Sequence, residues 1–253
     1  MPVTVSQLAV APVKGMRLQC VNELRLEQHK VAGDREFLVI GEDGQLLLTA
    51  RTPALLQIEP SWDPAHNVLA LRFPDGNVLQ DTPEPGARVV TRMYDGREIP
   101  GWMIGGPLSD ALSGYLGRAV RLFKRDPEHL GNDDEPVTLM SEASLQALAP
   151  ELSGPAPDQR RFRMTITITG ADAWAEHAWG GQNVAIGEAM LRVIAPVPRC
   201  AVTTRNPESG ATDARVLHAL ARLRGHKDIT FGVWCEIIRP DRIHVGDLVI
   251  PPR

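Results

Sequence analysis

Cys200 stands in Pro196-Val197-Pro198-Arg199-Cys200-Ala201-Val202-Thr203-Thr204-Arg205, and a sulfur in that setting could do chemistry. A guanidinium beside a thiol favours the thiolate, which is the form that attacks electrophiles and binds soft metals. The bland alternative is a buried cysteine serving as a small apolar group. A second set of residues is basic. Lys14 lies in Pro12-Val13-Lys14-Gly15, where a strand would end, and Arg35 lies in Gly33-Asp34-Arg35-Glu36-Phe37, at another strand edge. Arg160, Arg161 and Arg163 precede an apolar run, and Arg199 and Arg205 flank the cysteine. Arginine forks match phosphate oxygens in pairs and lysine adds a point charge, so a phosphorylated anion would suit this set. Taken one at a time, each is equally ordinary surface charge. Third, Leu139-Met140-Ser141-Glu142-Ala143-Ser144-Leu145 reads as a helix start capped by Ser141. Free N–H groups there could meet an anion, or the segment is simply a well-capped helix.

Other chemistries lack support. The seven histidines include no H-E-x-x-H or H-x-H pair, so a zinc hydrolase is not indicated. There is no G-x-G-x-x-G after a strand, no Walker loop and no G-x-S-x-G. The three cysteines contain no C-x-x-C, and so few suit a reducing compartment rather than a disulfide framework. The formal net charge is -4 with no block of Lys and Arg, which gives no reason to expect nucleic acid as a partner. The start of the chain lacks the basic and apolar runs of a secretory signal. Nowhere do about 18 apolar residues run together. A cytoplasmic protein without a membrane segment is the expectation.

The elements that must hold these residues are mostly strands. Residues 3–13, 21–31, 36–41, 45–50, 55–61, 68–73 and 88–93 alternate or are rich in β-branched side chains. Glu42-Asp43-Gly44 and Pro74-Asp75-Gly76-Asn77 read as turns between them. In the second half, residues 163–169, 183–187, 189–197, 201–204, 230–238 and 247–250 read the same way. Many short strands imply a β-barrel or sandwich. Helices are few: 109–116 ending at Gly117, 141–149 stopped by Pro150, and one capped by Thr212 or Asp213 with Val216, Leu217, Leu220 and Leu223 facing inward. The polar, acidic stretch 126–136 marks a domain change, dividing the chain into 1–125 and 126–253. Cys20 and Cys235 read as small apolar packing groups.

These pieces resemble a known family. Pro12-Val13-Lys14-Gly15, Gly33-Asp34-Arg35-Glu36-Phe37 and Leu48-Thr49-Ala50-Arg51-Thr52-Pro53-Ala54-Leu55 resemble the MOSC N-terminal β-barrel domain. Ser141-Glu142-Ala143-Ser144-Leu145, Arg161-Phe162-Arg163, Trp174-Ala175-Glu176, Ile186-Gly187, Arg199-Cys200, Asn206-Pro207-Glu208-Ser209-Gly210 and Val245-Gly246-Asp247 resemble the MOSC domain itself. The family includes the mitochondrial amidoxime-reducing component and bacterial relatives acting on N-hydroxylated bases. The resemblance implies a mainly β protein with a few helices, an N-terminal β-barrel domain packed on a C-terminal MOSC β-barrel domain. It implies a molybdenum–molybdopterin cofactor between the two, with Cys200 as the catalytic thiolate and the metal ligand. It maps the cofactor contacts onto Lys14, Gly15, Arg35, Ser141, Arg163, Thr165 and Arg199. The chain departs from the family pattern at Met164-Thr165, where relatives carry Pro-Asn, at Gly15, where many carry Ser, and at Asn206, where Asp is common.

Two functions follow from the resemblance. One is a molybdenum-dependent reductase of small N-hydroxylated or N-oxide substrates. No ferredoxin-like domain follows the last strand, so electrons would come from a separate donor such as a ferredoxin or flavin reductase. Glu176 is a conceivable acid, though it suits a surface loop equally. The other is a sulfur carrier or cofactor-handling protein that uses a Cys200 persulfide. A binding protein that has lost the metal ranks behind both.

Overall fold

In the computed structural model, Leu8 and Val10 of the strand Thr4–Val10 turn into the core two residues apart, as a pleated strand requires, and a register shift between Val5 and Gln7 brings Val5 into the same core. The structure describes residues 2–93, 95–128, 135–152, 156–225 and 228–252. Thr4–Val10 belongs to an open eight-stranded sheet. Its order is Val249–Ile250, Asn183–Ile186, Ala189–Pro198, Thr230–Arg239, Val137–Ser141, Ile166–Thr169, Thr4–Val10 and Gln19–Val21. Neighbours are antiparallel, except that Val137–Ser141 and Ile166–Thr169 run parallel. Leu8, Leu139, Ile166, Val184, Leu191 and Val233 build the core against this sheet.

The first half supplies two smaller open sheets. Phe37–Gly41, Val120–Arg125, Glu98–Ile104 and Pro85–Arg92 form one in that order, and Glu59–Asp63, Val68–Arg72 and Val78–Asp81 form the other. The helix Pro107–Leu116 packs between them, with Leu108 and Leu112 joining Phe37, Leu55, Leu69 and Leu122 in a second core. It begins with Pro at its first position and ends on the left-handed Gly117. The protein is therefore mainly β with few helices. The two halves also interlock. Thr4–Val10 pairs with Ile166–Thr169, and Glu23–Arg25 pairs with Arg242–His244, so the first strands of the chain lie in sheets of the second half. Among the described residues, no helix is long and apolar enough to cross a membrane.

Several expected elements differ. Residues 21–31 are not one strand, because Gln19–Val21 and Glu23–Arg25 pair with different partners on either side of Asn22. Residues 45–50 make only isolated bridges at Gln45 and Leu46. Pro53–Gln57 coils into a 3-10 turn before the strand Glu59–Asp63. Residues 201–204 also form a 3-10 turn rather than a strand. The hydroxyls of Thr203 and Thr204 donate to the carbonyls of Cys200 and Ala201 at 3.0 and 2.7 Å, which coils the backbone. The helix expected over 141–149 splits in two, Glu142–Gln146 and Ala149–Leu152. Pro150 lies in the first turn of the second instead of ending the first. Val216–Arg224 is helical as expected, but neither Thr212 nor Asp213 caps it, and Leu223 is exposed.

Candidate functional site: a basic seam beside Cys200

Three stretches of backbone converge where the two halves meet. Residues 11–14 run alongside 35–37: the Arg35 N–H donates to the Ala11 carbonyl at 2.7 Å, the Phe37 N–H to Pro12 at 3.0 Å, and the Lys14 N–H to Phe37 at 2.8 Å. This places Lys14 and Arg35 on neighbouring segments, joined by the bridge between Val13 and Phe37. The third stretch arrives from the second half, where the Ala9 N–H donates to the Thr165 carbonyl at 3.0 Å. The Arg35 guanidinium then reaches across and donates to the carbonyl of Arg163 at 3.5 Å. Both arginines sit in the left-handed region, at φ 50° and 55°. For a side chain as large as arginine that conformation is uncommon. Gly15 follows Lys14 at φ 90°, and a Cβ there would lie 2.6 Å from Thr49 Oγ1, so only glycine fits without displacement.

Arg199 continues the seam toward the cysteine. Its guanidinium donates to the carbonyl of Phe162, lies over the Phe162 ring, and contacts the Met164 sulfur at 3.7 Å. It thus holds the residues on both sides of Arg163. Phe162 is itself fixed by stacking on Phe231, with ring centroids 4.0 Å apart. Cys200 follows directly, at the start of the turn Ala201–Thr204, and its side chain is exposed. The buried-cysteine alternative therefore does not hold for Cys200. It holds for Cys235, which is wholly buried and whose thiol pKa is pushed up by that burial. Cys20, expected to pack as an apolar group, is instead exposed on the edge strand Gln19–Val21.

Two further residues expected at the site, Ser141 and Thr165, are buried. Ser141 is fully buried. Its hydroxyl accepts from the Ser144 N–H at 3.1 Å and lies 2.7 Å from the Ser144 hydroxyl, while its own N–H donates to Glu176 at 3.3 Å. It is a helix cap inside a buried network in which Glu176 Oε2 has no hydrogen-bond partner. Glu176, fully buried, accepts from the Ser144 hydroxyl at 2.8 Å and is part of that network rather than of a surface loop. Thr165 is 2% exposed. Its hydroxyl accepts from the Thr138 N–H at 2.7 Å and donates to the Thr138 carbonyl at 2.8 Å. Both hydroxyls are thus engaged within the fold, that of Ser141 with Ser144 and that of Thr165 with Thr138.

The other arginines singled out in the sequence serve the architecture. Arg160 pairs with Asp158 at 2.6 Å and Glu208 at 2.5 Å, and Arg161 pairs with Asp213 at 2.8 Å. Arg205 donates to the Ala50 carbonyl at 2.9 Å, tying the turn after Cys200 to the first half. Two seam residues escaped the sequence reading. Asp34, 1% exposed, accepts from the Ala11 N–H at 2.7 Å and pairs with Arg35. Arg125, 2% exposed, donates through Nε to the Arg35 carbonyl at 2.8 Å. Burial lowers the Arg125 pKa, opposed by the carboxylates of Glu36 and Asp34. Asp34 lay within the quoted motif beside Arg35. Arg125 carried no signal beyond being one of three basic residues in Val120–Arg125.

The donor set can do two things. An exposed sulfur can bind a soft metal or carry sulfur, and Lys14, Arg35, Arg163 and Arg199 can hold a phosphorylated group. Among the described residues, no group of three or more His, Cys, Asp or Glu could hold a metal alone. A metal here would take its remaining ligands from an organic group. In that sense the residues fit a metal–pterin cofactor, one soft ligand beside cationic anchors from both halves.

The MOSC domain model matches residues 126–250, and the MOSC N-terminal beta barrel domain model matches residues 2–98. Mitochondrial amidoxime-reducing component 1 of Xenopus laevis is 28% identical over 233 residues, 81% of this chain and 66% of that one. The protein of the same name from Homo sapiens is 25% identical over 282 residues, 97% of this chain and 82% of that one. Molybdenum cofactor sulfurase of Danio rerio is 25% identical over 274 residues, 91% of this chain but 31% of that one.

Proposed function

This chain belongs to the MOSC family, with the MOSC N-terminal barrel domain ahead of the MOSC domain, and we propose that it is a molybdenum-cofactor protein that reduces small N-hydroxylated or N-oxide substrates. One connected arrangement carries the reading. Exposed Cys200 follows Arg199, Arg199 holds both neighbours of Arg163, and the Arg163 carbonyl accepts from Arg35 of the other half.

Cys200 would give its thiolate to molybdenum. Lys14, Arg35, Arg163 and Arg199 would hold the phosphate-bearing tail, and the Gly15 N–H would stand beside them. Thr165 acts one step back, by fixing the backbone that follows Arg163. When bound, the cofactor supplies two-electron oxygen-atom transfer, and the protein supplies its orientation and electrostatic setting. Electrons would come from a separate donor protein such as a ferredoxin or flavin reductase, and the place of action would be the cytoplasm.

The exposure of Cys200 also favours a second reading, a sulfur carrier or cofactor-handling protein that uses a Cys200 persulfide. One relative is named for cofactor sulfuration. Expression in a host that makes the cofactor, followed by elemental analysis and amidoxime reduction with an artificial electron donor, separates the two. Bound molybdenum with turnover supports the reductase. Cys200-dependent sulfur transfer without turnover supports the carrier. Molybdenum bound at wild-type level in Cys200→Ala would remove Cys200 from the role given to it.

A further inference from the structure

Arg35 and Arg163 are two of only four non-glycine residues with positive φ among those described, and they face each other across the seam. Strain of this kind persists only where surrounding contacts over-determine it, and it gathers at functional sites. The contacts that impose it at Arg35 come from two buried charged groups. Arg125 donates through Nε to the Arg35 carbonyl at 2.8 Å and through Nη2 to the Asp34 carbonyl at 3.4 Å, while its backbone N–H donates to the Glu36 carbonyl at 3.1 Å. The Asp34 carboxylate accepts from the Ala11 N–H and pairs with the Arg35 guanidinium. The short loop is gripped from both sides. Asp34 also fixes Ala11, three residues before Lys14, so one pair of side chains registers both basic residues of the first half.

The geometry points to Arg125 and Asp34 as positioning residues that hold Arg35 in its left-handed conformation and aim it, together with Lys14, at the ligand of the seam. The inference rests on the reading of that seam as the place where a phosphorylated pterin is held. Neither residue touches the ligand. Arg125 sets the backbone, and Asp34 sets the direction of the guanidinium. A lysine in place of Arg125 keeps a charge but loses the planar fork that reaches two carbonyls at once. An asparagine in place of Asp34 keeps an oxygen for the Ala11 N–H and loses the ion pair with Arg35.

The test uses the full chain, made in a host that synthesises the cofactor, as wild type, Arg125→Lys and Asp34→Asn. Three quantities are measured: molybdenum per chain after gel filtration, the rate of pterin release followed by fluorescence, and the melting temperature of the cofactor-free protein. Cofactor release about tenfold faster or more is expected in each variant, the scale seen when groups that orient metal ligands are removed. Losing a buried ion pair should also lower the melting temperature of cofactor-free Asp34→Asn, so release is followed well below that transition, where the variant is fully folded. Should Arg125→Lys fail to fold, Asp34→Asn decides. Release at the wild-type rate from loaded variants, with a lowered melting temperature, would make the pair purely architectural and overturn this inference alone. Wild-type protein that never acquires molybdenum would instead overturn the proposed function, and this inference with it.

Discussion

Replacing Thr165 by valine separates two roles for that residue, because valine keeps the shape and removes the hydroxyl. That hydroxyl accepts from the Thr138 N–H at 2.7 Å and donates to the Thr138 carbonyl at 2.8 Å. Losing the acceptor leaves a shielded N–H without its partner, at about 1–3 kcal/mol, and the second bond is worth roughly 1 kcal/mol. The added methyl returns about 0.8 kcal/mol of burial. The Thr165 N–H still donates to the Thr138 hydroxyl at 2.9 Å, so the backbone register survives. The net loss is on the order of 1–3 kcal/mol. For a chain of this size that lowers the melting temperature by roughly 2–12 °C. Calorimetry on cofactor-free protein measures this, and elemental analysis of protein from a cofactor-making host measures loading. Lower stability with near-normal molybdenum is the expected result. An unchanged melting temperature with molybdenum lost would refute the reasoning and return Thr165 to direct contact with the cofactor.

Further consequences can be checked in the same protein. In the cofactor-free native state, iodoacetamide should label Cys20 and Cys200 and spare Cys235, whose thiol pKa is raised by burial; labelling of Cys235 before unfolding would contradict its placement. Gly15→Ala should cost at least about 1 kcal/mol through its left-handed backbone. Adding Thr49→Ala should relieve only the part due to the 2.6 Å approach of Thr49, and full recovery in the double variant would show that backbone strain is absent. His177 is held to a pKa of about 4, against 6.5 ordinarily, by burial and then by the nearby Arg224. The unfolded chain therefore takes up this proton more readily, so His177 makes stability fall as pH drops from about 6.5 toward 4. Urea unfolding of His177→Gln should give a flatter pH profile in that window, and an identical profile would count against the burial.

What the sequence conveyed and what it hid divide along the range of the contacts. The strands Phe37–Gly41, a continuous apolar run buried on both faces, and Val68–Arg72, which alternates, were legible because both patterns are local and turn residues bound them. The strand Glu98–Ile104 was not, since Pro100 and Gly101 interrupt its pattern. Gly101 is there because a Cβ would lie 2.3 Å from the Lys124 carbonyl, a neighbour known only once the sheet has formed. The turn at 201–204 was misread because β-branched side chains suggest a strand, whereas two threonine hydroxyls fold the backbone back on itself. At the site, Lys14, Arg35, Arg163, Arg199 and Cys200 stood out by type and motif. The engagement of Thr165 with Thr138, 27 residues away, could not be read from either segment. Nor could the grip of Arg125 on Arg35, across 90 residues.

The central claim is a bond between the sulfur of residue 200 and a metal. X-ray absorption at the molybdenum edge, on wild type and Cys200→Ser purified from a cofactor-making host, tests it most directly. The serine variant is expected either to lose its molybdenum or to retain it with one fewer sulfur neighbour. A loaded serine variant whose metal keeps every sulfur neighbour of the wild type would contradict that bond.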